Sequence, residues 1–387
     1  MKSFFRNAAM FMAMAALTAG AVSCSDDNDT VTGSDDSQAA AIAEQFVDHT
    51  VAPTYGALAA KTEQLAAELA ALKANPNDAG LRQACETFLA AREEWEKSEA
   101  FLFGAAGDFG VDPHIDSWPL DIDAFNTLMN SPAMLDALDS EDGDAIAGDR
   151  LGNALLGFHG IEYILFEGGQ PKSASAITEK QWIYVAAVAG DLRNRCYQLE
   201  VGWVGDKAPE SHIAKLDDLE MAYTVAGGDH SYGDNMKAAG QAGSTYATRK
   251  AALMAIVQGC IDIADEVGTS KIGAAHTGED PNYIESPYSQ KSIIDFHNNI
   301  VSIQNAYLGG VDGQRDEAKS LHQYMHSLNA ALDSEVMEAI DNAMAKIDAM
   351  PAPFVNNIGA EANGEAMEAC AALSEVLDEV VEAIRNN

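Results

Sequence analysis

The stretch Leu151–Phe166, LGNALLGFHGIEYILF, carries the two features that govern how this chain is read: a broad apolar face, and two ionisable residues set inside it. Wound at about 100° per residue, it puts Leu151, Leu155, Phe158, Leu165 and Phe166 on one side, as a core-facing helix does. His159 and Glu162 fall within the same face, three residues apart and therefore neighbours. An imidazole and a carboxylate placed where Leu or Val would serve are costly to bury unless they are paired or bind an ion. The pattern therefore asks for a compensating group inside the protein. A metal ion, a polar group from another helix and a polar ligand each meet that need.

Around this stretch the chain reads as helix almost throughout. Of 387 residues, 47% are hydrophobic and 7% aromatic, enough for roughly two domains with sizeable cores. Ala is abundant, Pro is sparse and β-alternation is hard to find, a balance that favours helices. Helical spacing runs over 38–73 with an interruption near Pro53, then over 81–104, 121–137, 144–166 and 179–199. A Gly/Pro break over 201–211 separates these from segments at 213–226, 244–267, 289–308, 318–328, 334–349 and 364–384. The expected fold class is all-α, with two helical-bundle domains packed side by side, 39–205 and 206–387. With 23 basic against 60 acidic residues, the formal net charge is -37. Such a surface repels nucleic acid and anionic lipid, so no nucleic-acid partner is expected.

The N-terminus carries an address. Lys2 and Arg6 precede an apolar run, Ala8–Val22, too short to span a bilayer comfortably. The run ends in Ala21-Val22-Ser23-Cys24, which resembles the lipobox of bacterial lipoproteins, where the Cys becomes the lipidated first residue. Ser25-Asp26-Asp27-Asn28-Asp29 resembles an acidic tag for export to the outer face of the outer membrane. Residues 1–23 are thus expected to be a signal peptide and 24–38 a flexible acidic tether. The expected location is the cell envelope, as an outer-membrane lipoprotein exposed at the surface and held by lipid on Cys24. Cys85, Cys196, Cys260 and Cys370 are widely spaced, without C-x-x-C, and read as isolated buried residues; one or two disulfides are the alternative.

Three further stretches hold candidate site residues. On the helix expected over 81–104, Phe88, Arg92, Trp95, Glu99 and Leu102 share a face, either aimed inward or lying at its edge in water. The irregular 104–119 segment carries Asp108, Asp112, His114 and Asp116, the last in Asp116-Ser117-Trp118-Pro119. Tyr283-Ile284-Glu285-Ser286-Pro287-Tyr288-Ser289 leads into the helix bearing Asp295; Ser289 reads first as its N-cap, and Asp295 as solvated or facing the other domain. His322 and His326 lie one turn apart and suit either a shared metal or a solvated surface. H-x-x-E is not the H-E-x-x-H of zincins, and no nucleophile elbow, P-loop or dinucleotide fingerprint occurs.

Taken together, three stretches resemble the imelysin family of bacterial envelope proteins. Gly157-Phe158-His159-Gly160-Ile161-Glu162 resembles its G-x-H-x-x-E signature. Arg92, Trp95 and Glu99 with Phe103-Gly104 and Asp116-Ser117-Trp118-Pro119 resemble its R-x-x-W…E…F-G…D-x-W-P pattern. Glu285-Ser286-Pro287-Tyr288-Ser289 with Asp295, Asn299, Ile300 and Tyr307-Leu308-Gly309 resembles its second-half signature. Phe166-Glu167-Gly168 stands where relatives often have Leu-Trp-Gly. The likeness covers about 40–385. It implies two bundle-like domains with the G-x-H-x-x-E site near their meeting, and links to iron uptake or iron-regulated expression. It also implies a site core of His159, Glu162 and Glu99, with Asp116 added and Arg92 as charge partner. Ser286, Ser289 and Asp295 approach from the second half.

The leading expectation is a surface lipoprotein that binds a metal ion, iron or zinc, or an iron- or haem-type ligand, for iron acquisition alongside envelope uptake partners. A His with several carboxylates and no thiolate suits iron, zinc or manganese. The alternatives are a zinc peptidase of the imelysin type, with His159, Glu162 and Glu99 as ligands plus a water, and a structural or host-interaction surface protein without a metal.

Overall fold

The computed structural model describes residues 32–387. The segment 1–23 expected to be a signal peptide, the lipobox-like stretch with Cys24 and the acidic stretch after it lie outside the described residues. Ten helices are used below: α1 (Thr32–Phe46), α2 (Ala52–Ala74), α3 (Asp78–Glu96), α4 (Gly157–Leu165), α5 (Glu179–Val204), α6 (Arg249–Glu266), α7 (Ser292–Tyr307), α8 (Leu321–Leu328), α9 (Ala330–Asp348) and α10 (Glu361–Asn386). Shorter helices and turns link them. Among the described residues the only strands are Phe166–Glu167 and Gln170–Pro171, an antiparallel pair closed by Gly168 and Gly169. None of the helices there is long and apolar enough to cross a membrane.

Local chemistry sets several ends. A π-helical turn, Val47–Val51, joins α1 to α2, so Pro53 falls in the first turn of α2, where its missing N–H costs nothing. Side-chain caps begin α3 (Asn77 accepting from the Gly80 N–H), α5 (a Thr178/Gln181 capping box), α6 (Thr248), α8 (Ser320) and α9 (Asn329).

Helix α5 packs along α2, and α2 along α3; on the other side α6 and α9 pack against α10, and α7 against α9 and α6. The two sets meet where α3 lies on α7 and α1 on α6. One cluster of buried hydrophobic residues extends from Ala39 to Ile384, so the core is continuous across residue 205. Cys85, Cys196, Cys260 and Cys370 are buried and unpaired, in keeping with the reading as isolated cysteines.

Three expectations are corrected. Residues 32–38 are helical rather than part of a tether, and Arg249 ties Asp36 to α6 through a 2.6 Å ion pair. Leu151–Phe166 is not one helix: Asn153–Leu155 forms a 3-10 turn and α4 starts only at Gly157. The break is steric. Gly157 sits at φ +64°, and a Cβ there would land on the carbonyl oxygen of Ile115. Leu151 and Leu155 still reach the core, from a separate segment. Third, the helix expected over 81–104 ends at Glu96, and Glu99 belongs to a 3-10 turn, Glu99–Phe101, wedged against α6 and α7. Gly157→Ala is accordingly expected to cost about 3 kcal/mol or more of stability in urea unfolding, from a strained φ plus the backbone collision. A loss below about 1 kcal/mol would mean that the 150–157 segment moves aside at little cost.

Candidate metal centre in a buried acidic layer

Where α3 meets α7, the interface is ionic rather than apolar. Arg92 and Glu96 project from α3, Asp295 and Asn299 from α7, and His159 and Glu162 from α4. Asp116 follows the short helix Val111–Ile115, Glu99 comes from its 3-10 turn, Lys271 from the π-helical turn Val267–Ile272, and Glu285, Ser286 and Ser289 from the loop ahead of α7. Every one of these residues is buried.

Arg92 is the hub. Its Nη1 donates to Asp116 and its Nη2 to Glu285; Nη2 also lies 2.5 Å from Glu96 Oε1, and Nε 3.9 Å from Asp295. Its guanidinium sits over the Phe158 ring, 5.2 Å from the centroid. Asp116 is bound on three sides, adding Trp95 Nε1 at 2.7 Å and His159 Nε2 at 2.9 Å. Lys271 Nζ reaches Glu285 at 3.2 Å, Glu99 at 3.4 Å and Glu96 at 3.7 Å, with the Trp118 ring 5.2 Å away. Glu96 also accepts from Asn299 Nδ2 at 2.6 Å.

The loop ahead of α7 is shaped to hold Glu162. Ser286 and Gln290 take positive φ, and the turn aims the Tyr288 and Ser289 amides at Glu162 Oε1, at 3.1 and 2.7 Å. Ser289 Oγ donates to the same oxygen at 2.7 Å. Ser289 is therefore not the N-cap of α7, which starts three residues later after Lys291. Its hydroxyl goes to a carboxylate because a buried anion is the stronger acceptor. Asp295 faces inward, accepting from Ser286 Oγ beside Arg92.

Charge in the layer does not balance. Glu96, Glu99, Asp116, Glu162, Glu285 and Asp295 are six buried carboxyl groups facing three basic residues, Arg92, Lys271 and His159. Burial works against a charge on His159, but hydrogen bonding to Asp116 and the nearness of Glu162 outweigh it and push its pKa up to about 9. Burial would also raise Asp116; Arg92 and His159 overcome that and hold it well below the usual carboxylate range. The remaining acids go the other way. Burial, with repulsion from neighbouring carboxylates, pushes Glu285 up to about 8 and Asp295 up to about 7, and lifts Glu99 well above its ordinary value. Protons thus supply countercharge that the basic residues do not. Six polar atoms of the layer remain without a hydrogen-bond partner: Arg92 Nε, Glu96 Oε1, His159 Nδ1, Glu162 Oε2, Glu285 Oε2 and Asn299 Oδ1. Unsatisfied buried atoms are uncommon enough to point to a group that binds there.

Two sets of donor atoms lie close enough together for one ion: Asp116, His159 and Glu285, and Glu96, Glu99 and Asp116. Asp116 belongs to both. Of the four ligands expected from the sequence, the structure groups His159 with Asp116, and Glu99 with Asp116, but it does not gather His159, Glu162 and Glu99 around one point. Glu162 Oε2 is 3.6 Å from His159 Nδ1 while its other oxygen is held by the loop. A cavity of about 190 Å³ opens beside the layer, lined by Glu99, Asp112, Asp116, Trp118, Glu266 and Lys271. Burial and the Asp116 charge push Asp112 up to about 7 as well.

Glu96, Lys271 and the roles of Glu285 and Asn299 in the layer were not foreseen. Glu96 was legible as the i+4 partner of Arg92. Glu285 sat inside the quoted loop. Lys271 had no local signal, because only the π-helical turn brings it inward.

Fold and layer define a class: an all-helical protein with a buried carboxylate-rich layer between its helices. The chain belongs to the imelysin family, whose sequence pattern it matches over residues 51–380. It is 28% identical over 343 residues to iron-regulated protein A of Synechococcus elongatus, covering 87% of this chain and 84% of that protein. A crystal structure from Parabacteroides distasonis, provisionally described as an iron-regulated protein A precursor, shares 30% identity at a TM-score of 0.76, with 90% and 95% of the two chains covered. An imelysin-like protein from Psychrobacter arcticus shares the fold at a TM-score of 0.59 and 13% identity, over 90% of this chain and 93% of that one.

Proposed function

We propose that this chain binds a metal ion, iron before zinc, or a small metal-bearing ligand, in the acidic layer, and that it does so for iron acquisition as a lipoprotein anchored through Cys24 at the cell surface. The observation that carries the reading is the imbalance of six buried carboxyl groups over three basic residues, with Glu285 Oε2, Glu162 Oε2 and His159 Nδ1 among the atoms left without a hydrogen bond. Asp116, His159 and Glu285 are the first ligand set; Glu96 and Glu99 extend it through Asp116. Imidazole and carboxylate donors suit iron, zinc or manganese. Lys271 and the bound protons hold the place of the cation until it arrives, so binding displaces both. The iron regulation in the names of two relatives agrees with this use of the site.

Because the raised acids and the His159 imidazolium hold protons that a metal must expel, affinity is expected to rise between about pH 6 and pH 9, tenfold per pH unit for each proton released. Anaerobic calorimetry with Fe²⁺ at several pH values, in buffers of different ionisation enthalpy, counts those protons. His159→Ala and Glu99→Ala are each expected to weaken iron binding at least tenfold, while the protein digests no peptide library supplied with zinc or iron. Cleavage that disappears in Glu162→Gln would establish the peptidase instead. Unchanged binding in all three variants would leave a structural network only.

A further inference from the structure

His322 and His326 stand away from the acidic layer. Tyr307, which touches this second cluster, lies twelve residues beyond Asp295 on α7, about 18 Å of helix rise. Both histidines project from α8 at the i, i+4 spacing that puts two rings on one face, with centroids 6.3 Å apart. Both turn the same nitrogen to the same carboxylate. His322 Nδ1 is 2.8 Å from Asp333 Oδ1, and His326 Nδ1 is 3.2 Å from Asp333 Oδ2. Asp333, 2% exposed at the start of α9, is fixed further by the Tyr307 hydroxyl at 2.9 Å.

A carboxylate only accepts, so each neutral ring carries its proton on Nδ1 and presents a bare lone pair on Nε2. Carboxylate-backed imidazoles of this kind are how metal-binding histidines are oriented and made more basic. Neither Nε2 has a hydrogen-bond partner among the described residues, and the rings line a cavity of about 450 Å³. Glu317, Glu338 and Asp341 line it too, bringing negative charge, although no three donor atoms here lie as close together as those of the acidic layer.

We propose that His322 and His326 form a second metal site, for a divalent transition cation of the zinc, nickel or copper class, with Asp333 as the residue that positions both rings. Two imidazoles and a carboxylate rim select such ions over calcium or magnesium, which take all-oxygen shells. The His326 side chain is 55% exposed, so an ion can approach its ring from solvent while Nδ1 stays on Asp333. This site stands independently of the acidic layer.

Zinc is the probe, added to the whole chain uniformly labelled with ¹⁵N. The expected result is that Zn²⁺ shifts the Nε2 signals of both rings, and that His322→Gln/His326→Gln lowers the zinc stoichiometry by one equivalent while His159→Ala leaves that equivalent in place. Asp333→Asn is expected to weaken it about tenfold to a hundredfold. Should the double variant fail to fold, His326→Gln alone, on the exposed ring, is expected to cost at least tenfold in affinity. Nε2 signals that do not respond to zinc, or an unaltered stoichiometry in the double variant, overturn the proposal.

Discussion

Arg92→Met is expected to lower the unfolding free energy by about 3–5 kcal/mol, or to prevent folding outright, the cost of removing one partner from a buried ion cluster. The guanidinium touches Asp116, Glu285 and Glu96 at once and lies near Asp295, so its loss leaves these anions to share only Lys271 and His159 as countercharge. Met fills a similar volume, which separates the charge from the packing. Arg92→Lys should fall between the two, since an ammonium keeps the charge but cannot fork to two carboxylates. The sign with pH is fixed. Without Arg92 the folded state takes up protons on its carboxylates more readily than the unfolded chain does, so its stability falls as pH rises. The deficit relative to the native protein should therefore be wider at pH 8 than at pH 5, as read from urea midpoints at each pH. A deficit under about 1 kcal/mol at both values would show that the layer does not depend on this cation.

Glu285→Gln should act in the opposite direction on stability. Its carboxyl is raised to about 8 by burial, and its Oε2 has no hydrogen-bond partner. An acid whose folded pKa is raised contributes stability that is fully present below its unfolded value and is lost as pH rises through the folded one. The neutral amide avoids that loss. At pH 5 the variant should match the native protein; at pH 8 it should be more stable, by roughly 1 kcal/mol and a few degrees in thermal midpoint. Iron affinity should drop at least tenfold in the same variant. A protein that gains stability when it loses its ligand is the mark of a site held ready at a thermodynamic cost. If the variant is instead less stable at pH 8 and binds iron unchanged, Glu285 serves only to neutralise Arg92 and Lys271.

Both outcomes test one physical idea, that an excess of buried negative charge is kept for an incoming cation. The protein already shows two partial substitutes for that cation. Lys271 reaches three carboxylates, and burial with repulsion from neighbouring carboxylates raises Glu285 to about 8 and Asp295 to about 7, which favours their protonated forms near neutral pH. On the proposed reading, a metal that enters must move the lysine and release the protons, and occupancy is expected to follow pH as well as metal concentration.

The sequence by itself determined the helical class, the family, and the fact that His159 and Glu162 lie inward. The family rests on the resemblance of three motif stretches; the other two conclusions rest on composition and on i, i+3 spacing, which are local and survive small errors in where a helix begins. Arg92 with Glu96 was also available from local spacing. Tertiary structure alone decided which acids share a ligand group. Glu99 left the face of α3 because the helix stops at Glu96, and Glu162 was claimed by the Tyr288 and Ser289 amides from a loop more than a hundred residues away. Lys271 entered the layer only through a π-helical turn, and Asp333 reached two histidines only because α9 folds back on α8. Ion pairing acts across space over a few ångströms and takes no account of separation along the chain, so pairings of this kind exist only once the helices are packed.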